Sequence, residues 1–172
     1  KEILPYVEPM FKLLDETYKT LSTYTPITDE QIKTYREKYF NFIDKDYIVC
    51  IVDEHDELIS FAITMPSYSE ALQKAKGKLF PFGWYHFLQA GKKNLRANFY
   101  LIGIHPEYQR RGVTSIIFKE IWRNFSKKGV KILETNPELE ENKSVQVLWQ
   151  DYNPVNHKRR RTYSLEISPQ EN

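Results

Sequence analysis

Apolar positions recur every three or four residues through "PYVEPMFKLLDETYKTLS" (5–22), at Met10, Leu13, Leu14, Tyr18 and Leu21. That spacing predicts a helix ending before "TYTP". A second helix opens at "TDEQ", where Thr28 can cap and Gln31 can reach back to complete a capping box. The period then changes. "YIVCIVD" (47–53) and "ELISFAITM" (57–65) are short, β-branched apolar runs on either side of polar "DEHDE", the signature of an antiparallel hairpin. The stretch from Tyr68 to Lys93 predicts two short helices around a Pro/Gly break. Its aromatic cluster, Phe80, Phe82, Trp84 and Phe87, suits core packing at least as well as a pocket wall. "NFYLIGIHP" (98–106) is a strand stopped by Pro106. From Gly112 onward Ile116, Ile117, Ile121, Trp122 and Phe125 share one helical face down to "KKG". "VKILET" (130–135) predicts a strand and "NPELEEN" a loop. "KSVQVLWQDY" (143–152) predicts a helix with Val145, Leu148 and Trp149 on one face, and "RTYSLEI" (161–167) a final strand. The alternation predicts one mixed α/β sheet with helices on both faces.

Composition narrows the class. A chain of 172 residues, 41% hydrophobic and 28% charged, has the balance of a folded domain rather than a disordered one. We expect a single domain over 1–168, with 169–172 as a tail. The first residue is Lys, so the expectation is that the chain was excised from a longer one carrying an N-terminal partner domain. Cys50, in "YIVCIV", is the single cysteine and reads as a small core residue; a reducing, cytoplasmic setting fits it. No apolar run approaches the ~20 residues that span a bilayer, so no membrane partner is expected. A net charge of +2 is too small to argue for nucleic acid. The basic run "HKRRR" (157–161) is either a phosphate or RNA patch or, as we favour, the cationic guard of an edge strand.

Candidate chemistry concentrates in "HPEYQRRGVTSIIFKEIW" (105–122), where a strand turns through one glycine into a helix. The first N–H groups of such a helix lack intrahelical partners and point together at the positive end of the helix dipole, which favours phosphate. Gly112 allows close approach, and Arg110 and Arg111 can add charge. By itself one glycine at a helix start is a common feature. The four histidines are too scattered for a metal site, and Cys50 lacks a histidine at nucleophile spacing. Neither metal nor covalent catalysis is expected.

The segment "LIGIHPEYQRRGVTSIIFKEI" resembles the acetyl-CoA-binding segment of the GNAT acyltransferase superfamily: Gln or Arg, two variable residues, Gly, one variable residue, then Gly or Ala. Here it reads Gln109, Arg110, Arg111, Gly112, Val113, Thr114, and Thr114 departs from the pattern. "NKSVQVLW", from Asn142, resembles the family's later helix. The specific likeness covers about a third of the chain, 97–151. More loosely, the whole chain is similar to the C-terminal half of longer GNAT-like bacterial proteins.

The resemblance implies a mostly antiparallel sheet whose strand ending at Ile104 splays from the strand around Leu133. Acetyl-CoA would enter that gap as acyl donor, along Ile102, Gly103 and Ile104, with Gln109, Arg110, Arg111, Gly112, Val113, Thr114 and Asn142 as further binding residues. The acceptor would be the amine of a small molecule or peptide, which must lose a proton before attack. A glutamate usual on the strand falls here at Asn98, and a tyrosine usual on the last helix at Trp149; neither can serve as base or acid. Glu134 is the preferred base candidate, with loop ordering as its alternative. Tyr152 or Tyr100 could supply the acid. Glu138, Glu140 and Glu141 could attract a cationic amine, although the last two suit helix stabilisation better. Three classes remain: an N-acetyltransferase, a degenerate acyl-CoA-binding module, and an RNA or protein interaction domain using the basic C-terminal strand. Homo-oligomerisation is left open.

Overall fold

The computed structural model describes residues 3–21, 24–40 and 43–165. The chain divides into two compact units, 1–136 and 137–172, each described by itself. In the first, helix α1 (Val7–Tyr18) follows a short 3-10 turn at Leu4–Tyr6 and buries Val7, Met10, Phe11, Leu13 and Leu14. Helix α2 (Asp29–Tyr35) begins with the expected capping box: Thr28 Oγ1 accepts from Gln31 N–H and the Gln31 side chain accepts from Thr28 N–H. The hairpin forms as β1 (Ile48–Val52) and β2 (Leu58–Pro66). Asp53 organises its turn by accepting from the backbone N–H groups of His55 and Glu57, both at 2.9 Å.

Two short helices follow, α3 (Ser69–Lys74) and α4 (Gly83–Lys92), then β3 (Arg96–Ile104), α5 (Val113–Lys128) and β4 (Ile132–Thr135). The sheet order is β1-β2-β3-β4, antiparallel except for the parallel β3/β4 pair. Phe61, Ile63 and Leu101 pack in the cluster formed with α1, while Phe99, on the other face, meets Phe118 of α5. Helices therefore cover both faces, because alternate residues of β2 and β3 are apolar on each side.

Three sequence expectations are corrected. The buried row of α5 is Val113, Ile117, Ile121 and Phe125, one residue every fourth position, while Ile116 and Trp122 are exposed. Thr114, Phe118 and Asn124 flank that row half-buried, and Phe118 meets Phe99 of β3. Phe80, Phe82 and Trp84 are exposed rather than core, since they fall on the Pro/Gly break and the start of α4, and Phe87 stacks on Tyr68. No final strand forms among the described residues: 153–165 have no regular structure and are exposed, so "HKRRR" guards no edge strand there. Cys50 is half-buried, and burial pushes its thiol up to about 12.

The second unit contains one short helix, α6 (Lys143–Val147), and a 3-10 turn at Gln150–Tyr152. Val145, Leu148 and Trp149 are half-buried, in keeping with the face expected of them.

Candidate active site

Strand β3 is paired on both sides only over its first half. Against β4 its register runs from Arg96↔Ile132 to Phe99↔Thr135 and stops, whereas against β2 it continues to Ile104↔Ser60. One extra residue lies just past that point. Phe99 pairs with Thr64 and Leu101 with Ile63, which leaves Tyr100 as a bulge. A bulge bends its strand and raises its twist, and this one lies one residue beyond Phe99↔Thr135, where β4 itself ends. It also resets the alternation of peptide groups. His105 N–H donates to Ile59 C=O, which sets the ladder so that Leu101 and Gly103 face β2 while Ile102 and Ile104 face the gap.

Both gap-facing carbonyls accept from side chains. Tyr18 Oη donates to Ile102 C=O at 3.2 Å, and Gln109 Nε2 to Ile104 C=O at 3.2 Å. Gly103 is the exception among the binding residues expected from sequence. Its backbone turns to β2, Ser60 Oγ donates to its carbonyl, and an added Cβ would stand 2.5 Å from Phe61 Cε1. Its glycine is thus explained by the buried ring of Phe61.

Beyond Ile104 the chain passes through a 3-10 turn (Pro106–Tyr108) into the start of α5. Two residues there have left-handed backbone, Arg110 (φ 62°) and Gly112 (φ 81°). Gly112 is the N-cap and no side chain caps the helix. Ser115 and Ile116 N–H bond back to the Gly112 carbonyl, so the N–H groups of Val113 and Thr114 are the pair that the helix itself cannot satisfy. Val113 points its side chain into the core and Thr114 is half-buried, so both contribute backbone rather than side chain. Arg110 and Arg111 are exposed, with the Arg111 guanidinium 5.8 Å from the Tyr108 ring centroid. Such an arrangement, two N–H groups, a helix dipole and two arginines, suits an anion of high charge.

At the other end of the gap, Asn98 and Glu134 are register partners on adjacent parallel strands and lie on one face of the sheet. Asn98 Oδ1 is buried and, among the described residues, has no hydrogen-bond donor. Tyr100, the bulge residue, is exposed; its neighbour Tyr68 is raised above the ordinary phenol range by burial and by Tyr100.

The sequence reading missed the contribution of α1. Tyr18 fits the apolar stripe of α1, and its phenol also reaches the Ile102 carbonyl. Its ring lies 5.9 Å from that of Tyr24, whose hydroxyl donates to Asp15. Burial and that carboxylate hold the Tyr24 phenol well above its ordinary range, so it stays protonated. Glu16 Oε2 stands 3.8 Å from His105 Nε2 at the end of β3, and His105 Nδ1 accepts from Glu107 N–H. A tyrosine in an apolar stripe, shortly after Asp15 and Glu16, is the available signal.

Asn142 and Tyr152, the remaining expected site residues, belong to the second unit. Asn142 is the N-cap of α6 without a side-chain cap bond, and Tyr152 ends the 3-10 turn, exposed. Trp149 Nε1 donates to Glu138 Oε1 at 2.8 Å, which ties the 137–142 segment to the helix and gives that acid a structural partner.

No protein-family model matches the chain, and no curated protein matches it in sequence. Solved structures do match in fold. A possible acetyltransferase from Clostridium difficile 630 is 14% identical, with 96% of this chain and 93% of that one covered and a TM-score of 0.59. The aminoglycoside N-acetyltransferase AAC(6')-Iy, in complex with a CoA bisubstrate analogue, is 14% identical over 95% and 93%, with a TM-score of 0.56. The ribosomal-protein-alanine N-acetyltransferase of Brucella melitensis biovar Abortus 2308 is 11% identical over 95% of each chain, with a TM-score of 0.53. The fold is therefore the GNAT-like α/β fold expected from the 97–151 segment, with its mostly antiparallel sheet and flanking helices.

Proposed function

We propose that this chain is an acyl-CoA-dependent N-acetyltransferase, moving an acetyl group from acetyl-CoA to a primary amine by direct transfer. One observation carries the reading: past the end of β4, β3 presents the outward peptide groups of Ile102 and Ile104 along an edge that leads to the uncapped N-terminus of α5. An extended donor with amide groups along its length and a diphosphate at one end has a matching partner at each point. The amides lie beside Ile104 and Ile102 as an added strand would. The diphosphate lies on Val113 and Thr114 N–H, with Arg110 and Arg111 adding charge and Gln109 bracing the loop against Ile104. The acetyl end then falls near Asn98 and Glu134. Glu134 takes a proton from the attacking amine, and the Ile102 N–H supports the oxyanion. Solved structures of this fold that carry CoA or a CoA analogue support the choice of donor.

Thermal melting with acetyl-CoA tests this. A ligand at 100 times its dissociation constant adds about 2.7 kcal/mol of stability, so the melting temperature should rise clearly. Gly112→Val should abolish the rise, because a β-branched residue resists a φ of 81° and displaces the N–H groups behind it. The fold itself should persist, since an added Cβ there meets nothing within 4 Å. No shift at millimolar acetyl-CoA overturns the proposal; a shift without acetylation of any amine in a broad panel reduces it to an acyl-CoA-binding module.

A further inference from the structure

The turn between α3 and α4, together with the outer face of α4, exposes six large apolar side chains in close succession: Leu79, Phe80, Phe82, Trp84, Tyr85 and Leu88. Contiguous apolar surface of this kind marks an interaction site. The exposure is built into the local structure. Trp84 and Tyr85 N–H donate back to Leu79 and Phe82 C=O, and Trp84 Nε1 donates to Pro81 C=O at 2.9 Å. Gly83 is buried so close to Lys78 that a Cβ would stand 1.8 Å from the Lys78 carbonyl oxygen. On the inner face of α4, Phe87 stacks on Tyr68. The turn is therefore fixed, and it projects Phe80 and Phe82, 81% and 72% exposed, on either side of Pro81.

Charge selects the occupant. Residues 68–93 carry five lysines against one acid, Glu70, which is itself paired with Arg96 at 3.8 Å. The other 20 basic and 22 acidic residues leave the rest of the chain at −2, so the positive charge is concentrated around these rings. None of the five lysines has an ion-pair partner among the described residues. Lys92 shares the outer face of α4 with Trp84 and Leu88 at four-residue spacing. Rings and leucines beside lysines suit the interface of a bilayer, where the aliphatic stems follow the apolar layer and the ammonium groups reach the phosphates. A second copy in a two-fold contact would set these lysines against their own equivalents. A nucleic acid strand binds in a groove with stacked rings, whereas this turn projects and Leu79 and Leu88 interrupt its rings. We propose that this face docks the protein on an anionic lipid bilayer, with Phe80, Phe82, Trp84 and Leu88 in the headgroup–acyl boundary and the lysines at the lipid phosphates. No helix of the described residues is long and apolar enough to cross a membrane, and a face lying in the headgroup region needs none; the absence of a membrane partner expected from sequence applies to spanning alone. Ile102 lies about 20 Å along β3 from Arg96, where α4 hands over to the strand, so docking and donor binding use different parts of the molecule.

Flotation of the whole chain with lipid vesicles tests this. The protein should bind vesicles of phosphatidylcholine containing about one-third phosphatidylglycerol, and not vesicles of phosphatidylcholine alone. Binding should weaken in about 1 M salt, where the screening length falls to about 3 Å. Each lysine close to an anionic surface contributes about fivefold in partitioning, so Lys74→Gln with Lys78→Gln should weaken binding about 25-fold. Lys12→Gln with Lys33→Gln removes the same charge from α1 and α2 and should weaken it several times less. Phe80→Ser with Phe82→Ser should weaken binding about a hundredfold at an unchanged melting temperature, because both rings are already exposed in the free protein. No vesicle binding, equal binding to the two vesicle types, equal losses from the two lysine pairs, or full binding by Phe80→Ser with Phe82→Ser overturns the proposal. So does a dimer in solution that the two phenylalanine substitutions dissociate, which gives the face to a second copy. Binding of a single-stranded RNA oligomer through this face in place of vesicles overturns it as well.

Discussion

Asn98 shows how one side chain can be out of place in stability terms and in place for a site. Its Oδ1 is buried beside Glu134 without a donor among the described residues, and an unsatisfied buried acceptor costs about 1–3 kcal/mol. Asn98→Leu, close in volume and lacking the acceptor, should raise stability by about 1 kcal/mol, read as a higher urea midpoint at unchanged slope. An unchanged or lower midpoint would mean that the oxygen already has a partner, such as water. The sequence showed Asn98 only as a departure at a strand position. It could not show that its oxygen is buried, because that depends on Met65 and Glu134 on the two neighbouring strands. Tyr18 illustrates the converse: its helical spacing fitted a core stripe, and only the path of α1 across β3 reveals where its hydroxyl ends.

Among the elements, β3 carries the site and its geometry depends on both neighbours. Gly103 keeps β2 and β3 in register beneath the Phe61 ring, which is 1% exposed and has nowhere to move. Gly103→Ala should therefore cost about 1–3 kcal/mol by overpacking, with a lower melting temperature as the readout; a neutral result would show that the strand yields. The resemblance implies Gly103 as a cofactor-binding residue beside Ile102 and Ile104. The ladder separates them, since alternate peptide groups face opposite neighbours and only Ile102 and Ile104 face the gap. Helix α5 was readable almost to the residue, because Gly112 and Gly129 both take left-handed backbone at its ends (φ 81° and 73°). Its exposed Ile116 and Trp122 were not, because periodicity marks a face without giving its width.

Across the whole molecule, the end of α5 is tied to the segment before β1 by Lys128, whose Nζ lies 2.6 Å from Asp44 and 3.1 Å from Asp46. Burial raises the Asp44 carboxyl, but the Lys128 and Asp46 N–H hydrogen bonds outweigh it and hold the group below its ordinary range. A depressed carboxylate contributes stability above its unfolded value, about 3.9, and loses it as pH falls through the folded value. Lys128 is held above its ordinary range, again with burial opposed and outweighed, so its share is lost only in strong alkali. Because the Asp44 side chain is 43% exposed, the tie is worth at most about 1 kcal/mol. Asp44→Asn should thus lower stability by up to that amount at neutral pH, with the difference from wild type closing below about pH 4. A difference that persists unchanged into acid would show that the pair is not the cause.

The local chemistry of the chain already settled much of this: the helix starts at Thr28 and Gly112, the β1/β2 hairpin, the strand ending at Pro106, and the glycine turn that resembles a donor-binding segment. These depend on neighbours within a few residues, through capping bonds, backbone conformation and side-chain period. The bulge at Tyr100, the end of the β3/β4 pairing at Phe99, the buried oxygen of Asn98 and the reach of Tyr18 to Ile102 came only from tertiary structure. Each is a relation between residues distant in sequence, 84 positions apart for Tyr18 and Ile102, and is set by how strands register and helices cross, which no local pattern encodes.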